Sequence, residues 1–171
     1  SFQRISNNKL KILIISEPLV SVKEIVPYIS SLIKHDDIEL SIKVRPMIED
    51  IYFEELKNEL PLSKKLNVFD GRIEDIANDF DIFMGSNSTA VIEGSLFGKI
   101  SILLKTKKFG DYFGMDELIS QKSLLVKQPE KIYESIIYRV DNENSLRTIE
   151  ITRDKFFGEN KDGVQWILEQ L

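Results

Sequence analysis

The residues best placed to do chemistry lie between Asp81 and Lys99, in the run DIFMGSNSTAVIEGSLFGK. The apolar strand FDIFM delivers the chain into Gly85-Ser86-Asn87-Ser88-Thr89, and helical periodicity begins at once in AVIEGSLFGK. The first N–H groups of a helix have no partner within it, and the aligned peptide dipoles leave partial positive charge there. A turn of this kind therefore suits a phosphate or another anion. Gly85 lets the backbone turn tightly, and Ser86, Ser88 and Thr89 add hydroxyl donors. The plain alternative is a helix cap: Asn87 or Ser88 would then only close the first helical turn, worth about 1 kcal/mol. Glu93 stands one turn beyond Thr89 on a helix otherwise largely apolar (Ala90, Val91, Ile92, Leu96, Phe97). A carboxylate there lies on the solvent stripe or is aimed into a cleft, where it would accept hydrogen bonds from two adjacent ribose hydroxyls. Gly94 and Gly98 lower helix propensity, and close packing of helix on sheet would account for both.

Other residues give weaker signals. Lys43 and Arg45 are two apart at the end of a strand and so share a face. Arg45 falls where ligands bind in α/β sheets and is read as functional, whereas Lys43 is read as a solvated edge residue. Lys105, Lys107 and Lys108 follow a strand and would help hold a diphosphate, although a charge run in a loop is usually only solvated. KFGDYFGMDEL carries three aromatic residues (Phe109, Tyr112, Phe113) suited to stacking on a base, or to core packing. His35, beside Asp36 and Asp37, fits an interaction with a helix C-terminus. Ser16 lacks the Gly-x-Ser-x-Gly elbow of hydrolases, and GSLFGKIS is one residue short of a nucleoside-triphosphate phosphate loop and lies at a helix end.

The elements that must position these groups follow from periodicity. Leu10 to Ile15 is a nearly unbroken apolar run, the pattern of a strand buried on both faces of a parallel sheet. Ser21 to Lys34 has helical spacing, with Ser21 as N-cap and Pro27 inside. Strands are predicted over Glu39 to Val44, Leu66 to Phe69, Phe80 to Met84, Ile100 to Leu104 and Ser123 to Val126. Helices are predicted over Ile48 to Leu60, Ile73 to Asn78, from Pro129 through KIYESIIYRV, and over Lys161 to Leu171. Strand and helix thus alternate about six times, the signature of a doubly wound, mostly parallel α/β sheet, Rossmann-like, with helices on both faces and ligand loops at the carboxyl ends of the strands.

With 171 residues, 42% of them hydrophobic and 30% charged, the chain is long enough for one globular domain and is not composed like a disordered one. The absence of cysteine excludes thiol nucleophiles, zinc ribbons and disulfide scaffolds, and the single histidine excludes multi-histidine metal sites, so no metal is expected. A net charge of -5 gives no general attraction to nucleic acid. No apolar stretch reaches the roughly 20 residues that cross a bilayer, and the start has no signal-peptide core. The abrupt opening, SFQRISNNKL, is read as a piece of something longer.

Taken together, strand, Gly-Ser-x-Ser-Thr, then x-x-x-Glu-x-x-x-x-Gly-Lys and a further apolar strand resembles the C-terminal nucleotide-sugar-binding half of bacterial GT-B glycosyltransferases. It also resembles their relative, the non-hydrolysing UDP-sugar 2-epimerase. The resemblance extends to the opening strand with Ser16-Glu17-Pro18, to the second strand, and to the tail FFGENKDGVQWILEQL. It implies that residues 1–171 form one donor-nucleotide-binding domain of a two-domain enzyme. Ser86, Asn87, Ser88 and Thr89, with Arg45, would meet phosphate and Glu93 ribose, and Ser16, Glu17 and Lys105 would add donor contacts. It further implies a UDP- or CMP-type sugar donor, a cell-surface polysaccharide acceptor, no cofactor and a cytoplasmic setting. The acceptor site, the catalytic base and any peripheral membrane contact would fall to an N-terminal Rossmann-like domain outside this chain. The alternatives are half of a 2-epimerase and a non-catalytic nucleotide-binding or regulatory module. Departures are Arg45-Pro46 where relatives carry His-Pro, Gly94-Ser95 after the glutamate, and Ile100 after Gly-Lys. Arginine pairs with phosphate bidentately but is no neutral base near pH 7.

Overall fold

The computed structural model describes residues 9–17, 20–44, 49–60, 66–69, 71–86, 88–107 and 124–142. The strands are β1 (Leu10–Ile15), β2 (Ile38–Lys43), β3 (Leu66–Phe69), β4 (Ile82–Gly85), β5 (Ile100–Leu104) and β6 (Leu124–Lys127). The helices are α1 (Val22–Leu32), α2 (Glu49–Glu59), α3 (Ile73–Ile76), α4 (Thr89–Leu96) and α5 (Ile132–Asn142). Short 3-10 turns, Ala77–Asp79 and Pro129–Lys131, follow α3 and precede α5. The strands form one six-stranded sheet in the order β3-β2-β1-β4-β5-β6, and every pairing is parallel. The α/β class and the parallel sheet are those predicted from the alternation of elements.

Strand alternation sorts the apolar residues into two cores. Ile12, Ile14, Leu40, Ile42, Ile82, Met84, Ile102 and Leu104 face α1, α2 and α5, and Ile29, Leu32, Leu56, Ile132 and Ile136 complete that core. Leu13, Ile15, Phe83 and Leu103 point the other way, onto Ala77, Phe80, Val91 and Ile92 from the segments after β3 and β4. The central strands therefore favour apolar residues on both faces, which is why LKILII, IFM and ISILL are apolar but for Lys11, exposed near the start of β1, and Ser101, whose hydroxyl is hydrogen-bonded.

Several boundaries differ from expectation. Phe80 is not in β4, because its N–H closes the 3-10 turn on the Ala77 carbonyl, and pairing to β1 opens at Asp81, whose N–H donates to the Lys11 carbonyl at 2.9 Å. α5 starts at Ile132 after the 3-10 turn that Pro129 begins. α1 runs unbroken through Pro27, whose missing N–H withdraws one hydrogen bond from its first turns. The predicted helix over residues 161–171 and the aromatic segment over residues 108–118 lie outside the described residues. Among the described residues no helix is long and apolar enough to cross a membrane.

Candidate functional site

β1 leads into α1 on one face of the sheet, whereas β4, its neighbour, leads into α4 on the other. The connections that leave their carboxyl ends therefore diverge, and such a switch point is where the crevice that binds ligands usually lies in sheets of this kind. The register fixes which residues rim it. Phe69, Lys43, Ile15, Gly85 and Leu103 are successive partners across five strands and form the last full row before the loops. Ser16 and Glu17 are the first and second residues beyond this row after β1, and Ser86 and Ser88 the first and third beyond it after β4.

The two serines carry the polar character of the crevice. Ser86 is 1% exposed and Ser88 3%, and among the described residues neither hydroxyl has a hydrogen-bond partner. Ser88 occupies the N-cap of α4 with an extended backbone (φ -114°, ψ 130°), and its carbonyl accepts from the Val91 N–H at 3.1 Å. Its hydroxyl, however, makes no capping bond. The alternative in which Ser88 is a simple helix cap therefore fails, since an N-cap is stabilising through the side-chain bond that is absent here. A buried hydroxyl without a partner costs about 1–3 kcal/mol. Two of them at the positive start of a helix amount to a donor set that an anion would complete.

The sequence positions α4 tightly. A Cβ on Gly85 would lie 2.8 Å from Val91 Cγ2 and 3.1 Å from the Ile15 carbonyl oxygen, and one on Gly94 would lie 2.5 Å from Phe83 Cδ2. Close helix-to-sheet approach thus accounts for Gly94, as expected. Gly98 has a different reason: at φ 70° it ends the helix in the left-handed conformation, with its N–H on the Ser95 carbonyl (3.0 Å) and the Lys99 N–H on the Gly94 carbonyl (3.1 Å). Ser101 on β5 donates to the Val91 carbonyl at 2.6 Å and meets the Ser95 hydroxyl at 3.1 Å, which ties the first turns of α4 to the sheet. This tie is missing from the sequence reading, because an isolated serine in an apolar strand names no partner.

The remaining predicted residues divide. Thr89 is exposed and Glu93 half-buried, and they stand one turn apart on the outer stripe of α4, on the same element as Ser88. Ser16 is buried, with its N–H on the Lys43 carbonyl at 3.0 Å. Glu17 is 7% exposed and lies near Tyr52 of α2; burial and then the Glu17 charge push that phenol up to about 12. Arg45 and Asn87 lie outside the described residues. Lys105 is exposed and lines a different hollow of about 420 Å³ with Lys23, Tyr28 and Lys107, whose lining includes none of Ser86, Ser88 and Glu93. There Tyr28 shares its O–H between the Lys105 and Lys127 carbonyls at 2.7 and 2.6 Å, so α1 holds the carboxyl ends of β5 and β6 together.

One expectation is overturned. Lys43 is not a solvated edge residue: β2 lies inside the sheet between β1 and β3, and the side chain is 8% exposed. At the opposite edge of the sheet His35 stacks on Tyr133 with ring centroids 3.4 Å apart, and Tyr133 donates to Asp37 at 2.9 Å. That arrangement is structural and touches no part of the crevice. Among the described residues no group of three or more His, Cys, Asp or Glu is placed to hold a metal.

No protein-family model matches the chain, and no curated protein does either. Solved structures do share its fold. The crystal structure of a UDP-N-acetylglucosamine 2-epimerase superposes with a TM-score of 0.54 at 14% identity, over 84% of this chain and 38% of its own. The structure of S. aureus MnaA with UDP superposes with a TM-score of 0.59 at 11% identity, over 96% of this chain and 47% of its own. The glycosyltransferase SnogD from Streptomyces nogalater gives 0.47 at 10% identity over 88% of this chain and 39% of its own, a likeness that carries no weight. The chain spans less than half the length of each of these structures, and what it shares with the first two is a fold.

Proposed function

We propose that the chain is a doubly wound, Rossmann-like donor-nucleotide-binding domain. It would form the C-terminal half of a two-domain glycosyltransferase that moves a sugar or similar group from a nucleotide-activated donor to a cell-surface polysaccharide acceptor. The observation that carries this reading is the pair of buried, unpartnered hydroxyls of Ser86 and Ser88 at the start of α4, in the crevice between β1 and β4. A donor phosphate there accepts from both hydroxyls and from the free N–H groups of the first turn of α4. Asn87, Thr89 and Arg45 add donors around it, and Glu93 accepts from the ribose hydroxyls one turn along. Because these donors are fixed before the ligand arrives, they stabilise the charge that grows on the leaving phosphate as the glycosidic bond breaks. Ser16 and Glu17 close the β1 side. The acceptor and the base belong to the other half, so this chain alone binds and does not turn over.

Fold likeness to a UDP-N-acetylglucosamine 2-epimerase supports a second reading, in which the same crevice serves an epimerase half. Full-length protein separates the two: an epimerase exchanges the sugar C2 proton with deuterated solvent, and a transferase does not. For the nucleotide site itself, UDP or CMP is expected to raise the melting temperature of the chain, and Ser88→Ala combined with Glu93→Ala to abolish the rise. Titration with every common nucleotide without a shift would sink the proposal.

A further inference from the structure

The hollow beside Lys105 has no part in that account. It measures about 420 Å³, within the range of small-molecule sites, and is lined by Lys23, Glu24 and Tyr28 of α1, by residues 105–107 and by Pro129. Lysines in a surface loop are ordinarily solvated and move with their backbone. Here the backbone is held. The Tyr28 O–H donates to the Lys105 carbonyl at 2.7 Å, and the Lys107 N–H donates to Glu24 Oε2 at 2.5 Å. Glu24 stands three residues after the N-cap Ser21, from where a glutamate commonly closes back on its own helix start, yet its carboxylate crosses to Lys107. Thr106 between the two lysines is 4% exposed, while Lys105 and Lys107 on either side of it are exposed. Among the described residues the ammonium groups of Lys23, Lys105 and Lys107 take part in no ion pair or hydrogen bond. Two carboxylates lie near: Glu24, engaged by the Lys107 N–H, and Glu130, whose charge reaches Tyr28. Three cations against one lining carboxylate leave the hollow positive in a chain whose net charge is -5. Tyr28, Pro129 and the lysine stems add apolar surface. A concave, partly apolar hollow edged by cations on a fixed backbone suits a compact organic anion, whereas a flat lipid surface would call for an exposed patch.

We propose that this hollow is a second ligand site, for a small organic anion that carries a carboxylate or a phosphate, with Lys105 and Lys107 as its fixed cations and Lys23 as the third. It is separate from the crevice, because its lining includes none of Ser86, Ser88 and Glu93. The proposal does not rest on the nucleotide reading and stands or falls without it.

The test is a set of calorimetric titrations of the chain with glucose 6-phosphate, glucuronate, inorganic phosphate and neutral glucose. The first two arms separate a phosphate ligand from a carboxylate ligand. At least one of these two sugar anions is expected to bind about fivefold more tightly than glucose and than inorganic phosphate, and to weaken as salt is added. Lys105→Gln combined with Lys107→Gln is expected to lose about fivefold of that affinity. Glu24→Gln keeps an acceptor for the Lys107 N–H and removes the opposing charge, so it is expected to gain about twofold. Ser88→Ala is expected to leave the affinity unchanged. The proposal is overturned if neither sugar anion binds, or if glucose or inorganic phosphate binds as tightly. It is equally overturned if the lysine pair can be replaced without loss, or if Glu24→Gln weakens binding. A loss in Ser88→Ala as large as that of the lysine pair would place the anion in the crevice and overturn the second site.

Discussion

At the start of α1, Ser21 is exposed, and its hydroxyl accepts from the Lys23 N–H at 3.3 Å. At the start of α4, Ser88 holds the same N-cap position on a similarly extended backbone, yet it is buried and its hydroxyl caps nothing. Both helices follow a strand of the same parallel sheet, and both turns end at its carboxyl edge. The difference lies in how each helix is attached. α1 rests on apolar side chains and reaches out through Tyr28 and Glu24 to the segment after β5. α4 is drawn onto the sheet by Gly85, Gly94 and the Ser101 tie, which leave its N-cap, Ser88, below the surface. The same residue type at the same local position is therefore a helix cap in one place and a buried hydroxyl that caps nothing, the ligand donor of the proposed function, in the other. Solvent access, and not propensity, separates the two roles.

The largest way to break this contrast is Gly94→Ala. The new methyl would meet Phe83, a fully buried ring, at 2.5 Å, and the variant is expected to lose about 2 kcal/mol of stability by urea unfolding. A variant as stable as wild type would show that α4 is not held down in this way. The contrast is sharpened by exchanging the two serines for alanine. Ser21→Ala is expected to cost about 1 kcal/mol and leave nucleotide affinity intact, because a working cap is lost. Ser88→Ala should cost nothing in the ligand-free protein, or even stabilise it, because an unpartnered buried hydroxyl is removed, while nucleotide affinity falls. Equal stability losses for the two would make Ser88 an ordinary cap.

A smaller effect is expected in alkali. Burial, then the Glu130 charge, pushes the Tyr28 phenol up to about 12, and Tyr52 is raised to a similar value. A tyrosine raised in the folded state binds its proton more tightly there than in the unfolded chain, whose ordinary value is about 10. Stability is thus complete below pH 10 and declines as the pH rises from about 10 toward 12. The urea midpoint should begin to fall between pH 9 and 10.5, and Tyr28→Phe should flatten part of that fall. A midpoint that is flat to pH 10.5 in wild type would contradict the buried latch of α1.

The fold was legible because its signals are local and repeated. Runs such as LKILII can be buried on both sides only within a parallel sheet, and Ser21, Pro27 and the spacing of Val22, Ile25, Ile29 and Leu32 identify α1 before any contact is known. The turn after β4 was singled out as a candidate anion site for the same reason, since glycine, hydroxyls and a helix start lie together in sequence. Lys43 was not legible. Whether a lysine at the end of a strand is solvated depends on whether that strand lies at the edge of the sheet, and strand order is set by pairings between segments far apart in sequence. Gly98 was also misread, because helix packing and a left-handed helix end both call for glycine and only the backbone angle distinguishes them.

Residue type and periodicity thus determined the α/β class, the parallel sheet and the chemical character of the loop after β4. Tertiary structure alone decided which serine hydroxyl is left without a partner and which lysine is withdrawn from solvent. Hydrogen-bonding capacity and charge belong to the residue, but their free energy depends on access to water, which the packing of distant segments sets.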